Sequence, residues 1–242
     1  MSFYDNLKSV FRKIVDENGL LKESIEVKAS ILSPKDALGA TKRTDYVLLK
    51  GKERLMQAEF KGSYGQAFTD SLNDFHGSIG EILELPLKNN YERAIFISSL
   101  NAIMRHLRLA DHTVHCKNND LENCAQKIAY FIVEKYGQPR ICFVGLQPAL
   151  VETCASKFSV KVLDLDKDNI GKEKSGVLIL DGEKDYNDAI EWCDIALVTG
   201  SVIVNGTIEN ILKVQKPLIF FGTTAAGTAK LMGWERFCPC SY

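Results

Sequence analysis

Five short apolar runs in the second half of the chain limit its fold more than any other feature: "RICFVG", "KVLDLD", "GVLILDG", "DIALVTG" and "PLIFFG". Most of them end in Gly or Asp, and helices or short connectors such as "ALVETCASKF" separate them. Runs that are apolar on both faces and alternate with helices belong to parallel strands covered on both sides. The expectation is an α/β fold with a doubly wound, Rossmann-like parallel sheet. "NDLENCAQKIAYFIVEKYG" reads as the helix leading into it, with Asn119 or Asp120 at its start and Gly137 as its stop.

The first half has another rhythm. Phe3, Leu7, Val10, Phe11, Ile14 and Val15 fall at helical spacing. "SIEVKASILS" alternates as a strand, with Ile25, Val27 and Ala29 on one face, and Pro34 ends it. "TDYVLLKGKERLMQAEFKG" reads as a hairpin: "DYVLLK", a turn with Gly51 and Lys52, then "RLMQAEF". "GSYGQAFTDSLNDFHGSIGEILEL" reads as a glycine-rich polar loop with short helical pieces. "NNYERAIFISSLNAIMRHL" carries a helical stripe that Asn89 or Asn90 can cap. A helix, a small antiparallel sheet and further helices make an α+β unit. The expected domains are residues 1–115 and 116–242.

Composition narrows the function classes. A net charge of -1 argues against a nucleic-acid binder and a polybasic membrane anchor. No apolar run approaches the roughly 20 residues of a membrane span. The opening "MSFYDNLKSVFRKIVDENG" is charged throughout and does not read as a signal peptide. The expected location is the cytoplasm, with a homo-oligomeric state left open. Seven cysteines, an odd count, then read as thiols rather than disulfides. Cys142, Cys154 and Cys193 sit in apolar or helical stretches as small buried hydrophobes.

Ligands of open α/β sheets bind outside the carboxyl ends of the strands. Those ends are "GLQPAL", Asp164 with Asp166, Asp181–Gly182, "TGSVIVNGT" and "GTTAAGT". Small and hydroxylated residues there suit a polar or anionic ligand, or equally plain turn chemistry. Asp164 lies roughly 20 residues past Gly145, the spacing of a ribose-binding acid. "GLQPAL" is not a GxGxxG loop, and Pro148 removes an amide donor, so a tight pyrophosphate cradle is not expected. Asn205 or Thr207 can cap the helix "IENILKV". His115, Cys116 and Cys124 form a possible ligand set for a soft metal. Cys238 and Cys240 complete it only if the chain end folds back. The C-x7-C spacing is not that of a zinc ribbon. The sequence names no cofactor beyond the transition metal these thiols suggest. No GxSxG, HExxH or P-loop is present.

"CDIALVTGSVIVNGTIENIL" followed by "KPLIFFGTTAAG" closely resembles the signature of the "putative heavy-metal chelation" family, whose members have no established reaction. "GLQPAL" matches that family's first strand-end loop. "GKERLMQAEFKGSYGQAFTD", "SSLNAIMRHL" and "TVHC" resemble its companion domain, which is similar to the N-terminal domain of enolase. The resemblance implies a site in the cleft between the domains. It marks as ligand-binding Asn101, Gly145, Pro148, Asp164, Thr199, Gly200, Ser201, Asn205, Thr207, Gly222 and Thr223. The function it implies is binding of a small molecule or metal chelate. The alternatives are a methyltransferase-like transferase acting on a metal-chelating or heterocyclic metabolite, and a thiolate metal-binding protein.

Overall fold

A computed structural model describes residues 2–22, 26–40, 43–50, 54–71 and 73–242 of the chain. The first half contains α1 (Phe3–Glu17), β1 (Glu26–Leu32), α2 (Pro34–Leu38), β2 (Arg54–Phe60), β3 (Ser63–Thr69), β4 (Phe75–Ser78), α3 (Ile79–Glu84) and α4 (Asn90–His106). The strands form one antiparallel sheet in the order β3-β2-β1-β4. The α4 helix starts at Asn89, whose side chain accepts from the Glu92 amide. Ile25, Gly51 and Lys52 lie outside the described residues, as do the side chains of Val27 and Ala29.

Two expectations for this half need correction. "DYVLLK" is not a strand: Val47–Lys50 is a short 3-10 turn. Tyr46 and Leu48 are both buried, a spacing that imitates strand alternation, and so short an apolar run does not tell the two apart. The tight hairpin lies one strand later, between β2 and β3. Its two-residue turn is Lys61-Gly62, both at positive φ (47° and 75°), as the twist of a type I′ hairpin requires. The glycine-rich stretch is accordingly not a loop but β3, β4 and α3. Gly65 is there for space. A Cβ on it would meet the Ala102 amide nitrogen at 2.1 Å and the Ser98 carbonyl oxygen at 2.4 Å, both backbone atoms of α4.

The second half follows the expected order. It contains α5 (Asp120–Tyr136), β5 (Ile141–Val144), α6 (Pro148–Ala155), β6 (Val160–Asp164), β7 (Glu173–Lys174), β8 (Val177–Asp181), α7 (Tyr186–Trp192), β9 (Ile195–Thr199), α8 (Ser201–Asn205), α9 (Ile208–Ile211), β10 (Leu218–Phe221) and α10 (Ala226–Met232). The sheet runs β10-β9-β5-β6-β8-β7, parallel except for the short edge strand β7. The chain leaves β5 in both directions, so β5 and β9 flank a topological switch point.

One face of this sheet packs against α5 and α6 through Ile141, Phe143, Val162 and Leu197. On the other face Cys142 and Leu163 meet Ala189 and Cys193 at α7. The remainder of that face is covered from the first half of the chain. Ala196, Val198 and Phe220 share a core with Leu7, Phe11 and Val15 of α1 and with α4. Hence α4 is buried on all sides: every residue from Ala94 to Met104 is buried. A helix that is apolar all round is a core helix between two layers. Among the described residues no helix is long and apolar enough to cross a membrane.

Candidate ligand cavity and domain junction

At the switch point, β5 ends in Gly145 at φ +97°, a left-handed conformation that glycine adopts freely. A Cβ there would meet Thr199 Cγ2 at 2.5 Å, so the glycine also lets the ends of β5 and β9 close on each other. Asp164, ending β6, joins two loops. Its Oδ2 accepts from the Leu146 amide (3.2 Å) and its Oδ1 from the Asp166 amide (2.6 Å). Pro148 begins α6, and Gln147 caps it by accepting from the Leu150 amide at 2.6 Å. The chain itself therefore fills the place where a Rossmann pyrophosphate would rest.

A cavity of about 800 Å³ opens over these strand ends. Gly145, Asp164, Thr199, Ser201, Asn205 and Thr207 line it. Asn205 does not cap α9. Its Oδ1 accepts from the Thr207 amide (3.1 Å) and hydroxyl (2.8 Å), fixing the turn before that helix, and Thr207 makes no side-chain cap either. The charged lining is Asp164, Asp166 and Glu183 against Lys213. This corrects the anionic-ligand expectation. Three carboxylates facing one lysine disfavour an anion and favour a neutral, hydroxyl-bearing or cationic guest. Sequence reasoning missed Asn169, Tyr186 and Asn187 in this wall. They follow strand ends at no fixed spacing, and only the topology marks them.

The large cavity is walled by residues 144 to 215, all in the second half of the chain. A second cavity, about 100 Å³, draws on both halves. Pro148, Gly200, Gly222 and His115 line it beside Tyr46 and Phe68, and it shares Leu146, Thr199 and Ser201 with the first. A third cavity, about 650 Å³, also lies between the halves, where Arg105, Arg108 and His112 face Lys230, Trp234 and Arg236, whereas hydrogen bonds close the junction around Asn101. Asn101 is fully buried and its amide is fully used. Its Nδ2 donates to the carbonyls of Gln66 (2.9 Å), Thr223 (3.1 Å) and Thr224 (3.3 Å), and its Oδ1 accepts from the Gly227 amide (2.7 Å). The Phe68 amide donates to Thr224 Oγ1 at 3.0 Å. Asn101 and Thr223 line neither cavity, which corrects their expected ligand-binding role. Asn101 lies in an apolar helix because it clamps β3 to the start of α10, and a buried amide must be paired.

The expected thiol set partly assembles. Val114 and Tyr242 exchange both backbone hydrogen bonds, at 2.9 and 2.8 Å, so the chain end does return to the connector. Cys238 and burial raise the Cys124 thiol, and Cys124 together with the Arg236 guanidinium holds Cys238 well below the ordinary thiol value. Burial first, and then the charge of Cys238 and Cys240, raises Cys116. Burial lowers His115, and its Nδ1 has no partner among the described residues. Among those residues, no three His, Cys, Asp or Glu side chains are grouped so as to hold a metal ion.

A parallel sheet in this strand order, with a cavity at its switch point, defines a Rossmann-like α/β fold class. Residues 129–232 match the family model described as "Putative heavy-metal chelation", DUF364. The resemblance carried by "CDIALVTGSVIVNGTIENIL" is thus borne out over that stretch. A solved DUF364 protein of unknown function from Pyrococcus horikoshii is 17% identical, with a TM-score of 0.52 over 90% of this chain and 80% of its own. Another, from Desulfitobacterium hafniense, is 11% identical, with a TM-score of 0.51 over 74% of this chain and 72% of its own. At such identities the likeness is one of fold, and the first extends it over both halves of the chain. No curated protein matches.

Proposed function

We propose that the chain is a cytoplasmic small-molecule binding protein whose guest is a neutral or cationic chelate or a hydroxyl-rich metabolite. We further propose that it is built from an α+β unit at residues 1–115 and a Rossmann-like unit at 116–242. The supporting observation is the acidic cavity of about 800 Å³ at the switch point, a volume within the usual range for small-molecule sites. The family description, heavy-metal chelation, agrees with a cationic metal complex as the guest. The guest would lie over Gly145 and Thr199, with Asp164 and Ser201 as acceptors for its hydroxyl or ammonium groups. Its end would reach the small cavity through the shared Thr199 and Ser201.

Native mass spectrometry of gently purified protein should find a co-purified molecule of several hundred daltons, lost in Asp164→Ala. Protein free of any guest from several hosts, which also takes up neither nickel chelates nor S-adenosylmethionine on titration, would sink this reading. A transferase is the second reading, favoured by the same acid after β6. It predicts calorimetric binding of S-adenosylmethionine that Asp164→Ala abolishes, since its sulfonium suits the acidic wall where a dinucleotide does not.

A further inference from the structure

The turn after α4 and the segment around α10 enclose the third cavity, of about 650 Å³. Its wall shares no residue with either of the other two. The first half contributes Arg105, in the last turn of α4, and Arg108 and His112 just beyond it. The second half contributes Lys230 of α10, then Trp234 and Arg236. Arg108 and His112 both stand at positive φ, 57° and 53°, a conformation uncommon outside glycine. Backbone of that kind collects at sites where side chains must be aimed. Trp234 is fixed by stacking on Phe220, ring centroids 4.5 Å apart and planes at 16°.

Four fixed cations, Arg105, Arg108, Lys230 and Arg236, thus line one cavity of a chain whose net charge is -1. Among the described residues none of the four forms an ion pair with a carboxylate. Their hydrogen bonds go to neutral groups. Arg236 donates to the Gly222 carbonyl at 3.0 Å and to the His112 carbonyl at 2.7 Å, and Arg105 donates to the Thr113 hydroxyl at 3.2 Å. The Arg108 and Lys230 side chains are exposed and bond to nothing among the described residues. Against the four stand Asp111 and, at most, the carboxyl group of Tyr242, so the wall keeps a positive surplus. Burial pulls the Arg236 guanidinium below its ordinary value even with the charges of Cys238 and Asp111 acting on it.

We propose that this cavity binds a small, multiply charged oxyanion, the phosphate or polycarboxylate end of a metabolite. Guanidinium groups pair with phosphate and carboxylate oxygens two at a time, and a lysine adds a point charge. Cations gathered without partners repel one another, and an anion between them removes that cost. The volume falls within the usual range of small-molecule sites. Leu109, Ala226 and Ala229 offer apolar surface to the rest of the guest. The strand-end cavity has the opposite character, with Asp164, Asp166 and Glu183 against Lys213. The oxyanion site does not depend on what that cavity binds.

The experiment titrates the full chain by calorimetry in a low-salt, phosphate-free buffer, with pyrophosphate and citrate as separate probes. The expected result is a single site with a Kd below about 100 µM for at least one probe. Arg108→Gln and Lys230→Gln should each weaken that binding roughly tenfold. Both side chains are exposed, so the fold should survive their loss. Lys213→Gln removes the same charge from the strand-end cavity and should leave the affinity within about twofold. Tighter binding of pyrophosphate identifies a phosphate guest, and tighter binding of citrate a polycarboxylate. No heat from either probe up to about 10 mM overturns the proposal. So does binding that Arg108→Gln and Lys230→Gln leave unchanged, or that Lys213→Gln weakens equally, since either result means that the anion does not sit between α4 and α10.

Discussion

The strand-end cavity and the seam around Asn101 between the two halves are built from the same kinds of residue, yet only one of them is open. Both draw on glycines, threonines and short polar turns at strand ends, the cavity after β5, β6, β8 and β9 and the junction after β10. Over β5, β6 and β9 the chain's own groups stop short, and about 800 Å³ remains. At the seam around Asn101, Asn101, Thr224 and the backbones of Gln66 and Gly227 consume one another's hydrogen bonds, and the cavity beside it measures about 100 Å³. Small polar residues at a strand end thus indicate a tight backbone approach. Whether a ligand or another part of the chain makes that approach depends on what the fold brings opposite.

That contrast breaks most sharply at Asn101. Asn101→Ala leaves the carbonyls of Gln66, Thr223 and Thr224 and the amide of Gly227 without their partner in a dry interior. The expected loss is on the order of 3 kcal/mol or more, seen in urea unfolding. Ligand affinity measured well below the denaturation midpoint should stay within about threefold, because the side chain lines neither cavity. An unchanged midpoint would remove Asn101 from the junction's stability.

Gly65→Ala probes the same seam sterically. The new methyl would press on the Ala102 nitrogen and the Ser98 oxygen of α4, backbone atoms that cannot swing aside. A loss of about 2 kcal/mol is expected, the usual cost of overpacking. The cavity side gives the opposite signature. Asp164→Ala removes an acceptor from the Leu146 and Asp166 amides at a half-exposed site, so stability should fall by only about 1 kcal/mol. Affinity for the guest should fall at least about tenfold. Equal losses in both measurements would erase the distinction between the two regions.

The parallel half was legible because its strands are buried on both faces and read as continuous apolar runs, each closed by Gly or Asp. Strand-end position alone identified Gly145, Asp164, Thr199 and Ser201 in the wall of the larger cavity. The first half was less legible. Gly62 and Gly65 read as loop signals, but one makes a two-residue turn and the other admits a helix backbone. These are long-range demands that local composition does not carry. "DYVLLK" failed for a related reason: its buried Tyr46 and Leu48 answer to the apolar core of the second half, not to a neighbouring strand. The return of the chain end to the connector at Val114 depended on where the chain end packs, which no spacing could supply.

The smallest effect tests the opposite end of the same strands. Arg140 precedes β5 and Asp194 precedes β9. The guanidinium donates to both carboxylate oxygens, at 3.1 and 2.8 Å, and the Arg140 amide adds a third bond at 2.8 Å. These bonds, the side-chain ones foremost, hold Asp194 down at about 2. A depressed carboxyl stabilises the fold above its unfolded value near 3.8 and loses that contribution as pH falls through about 2. The pair is half-exposed, so the effect is small and screened by salt. Between about pH 4 and pH 2 the wild-type melting temperature should therefore fall slightly more steeply than that of Arg140→Ala. Guest affinity at neutral pH should be the same in both, because this end of the sheet faces away from the cavity. Parallel slopes would show that the amino ends of β5 and β9 are joined by their backbones alone, and a change in affinity would show that the two ends of the sheet are coupled.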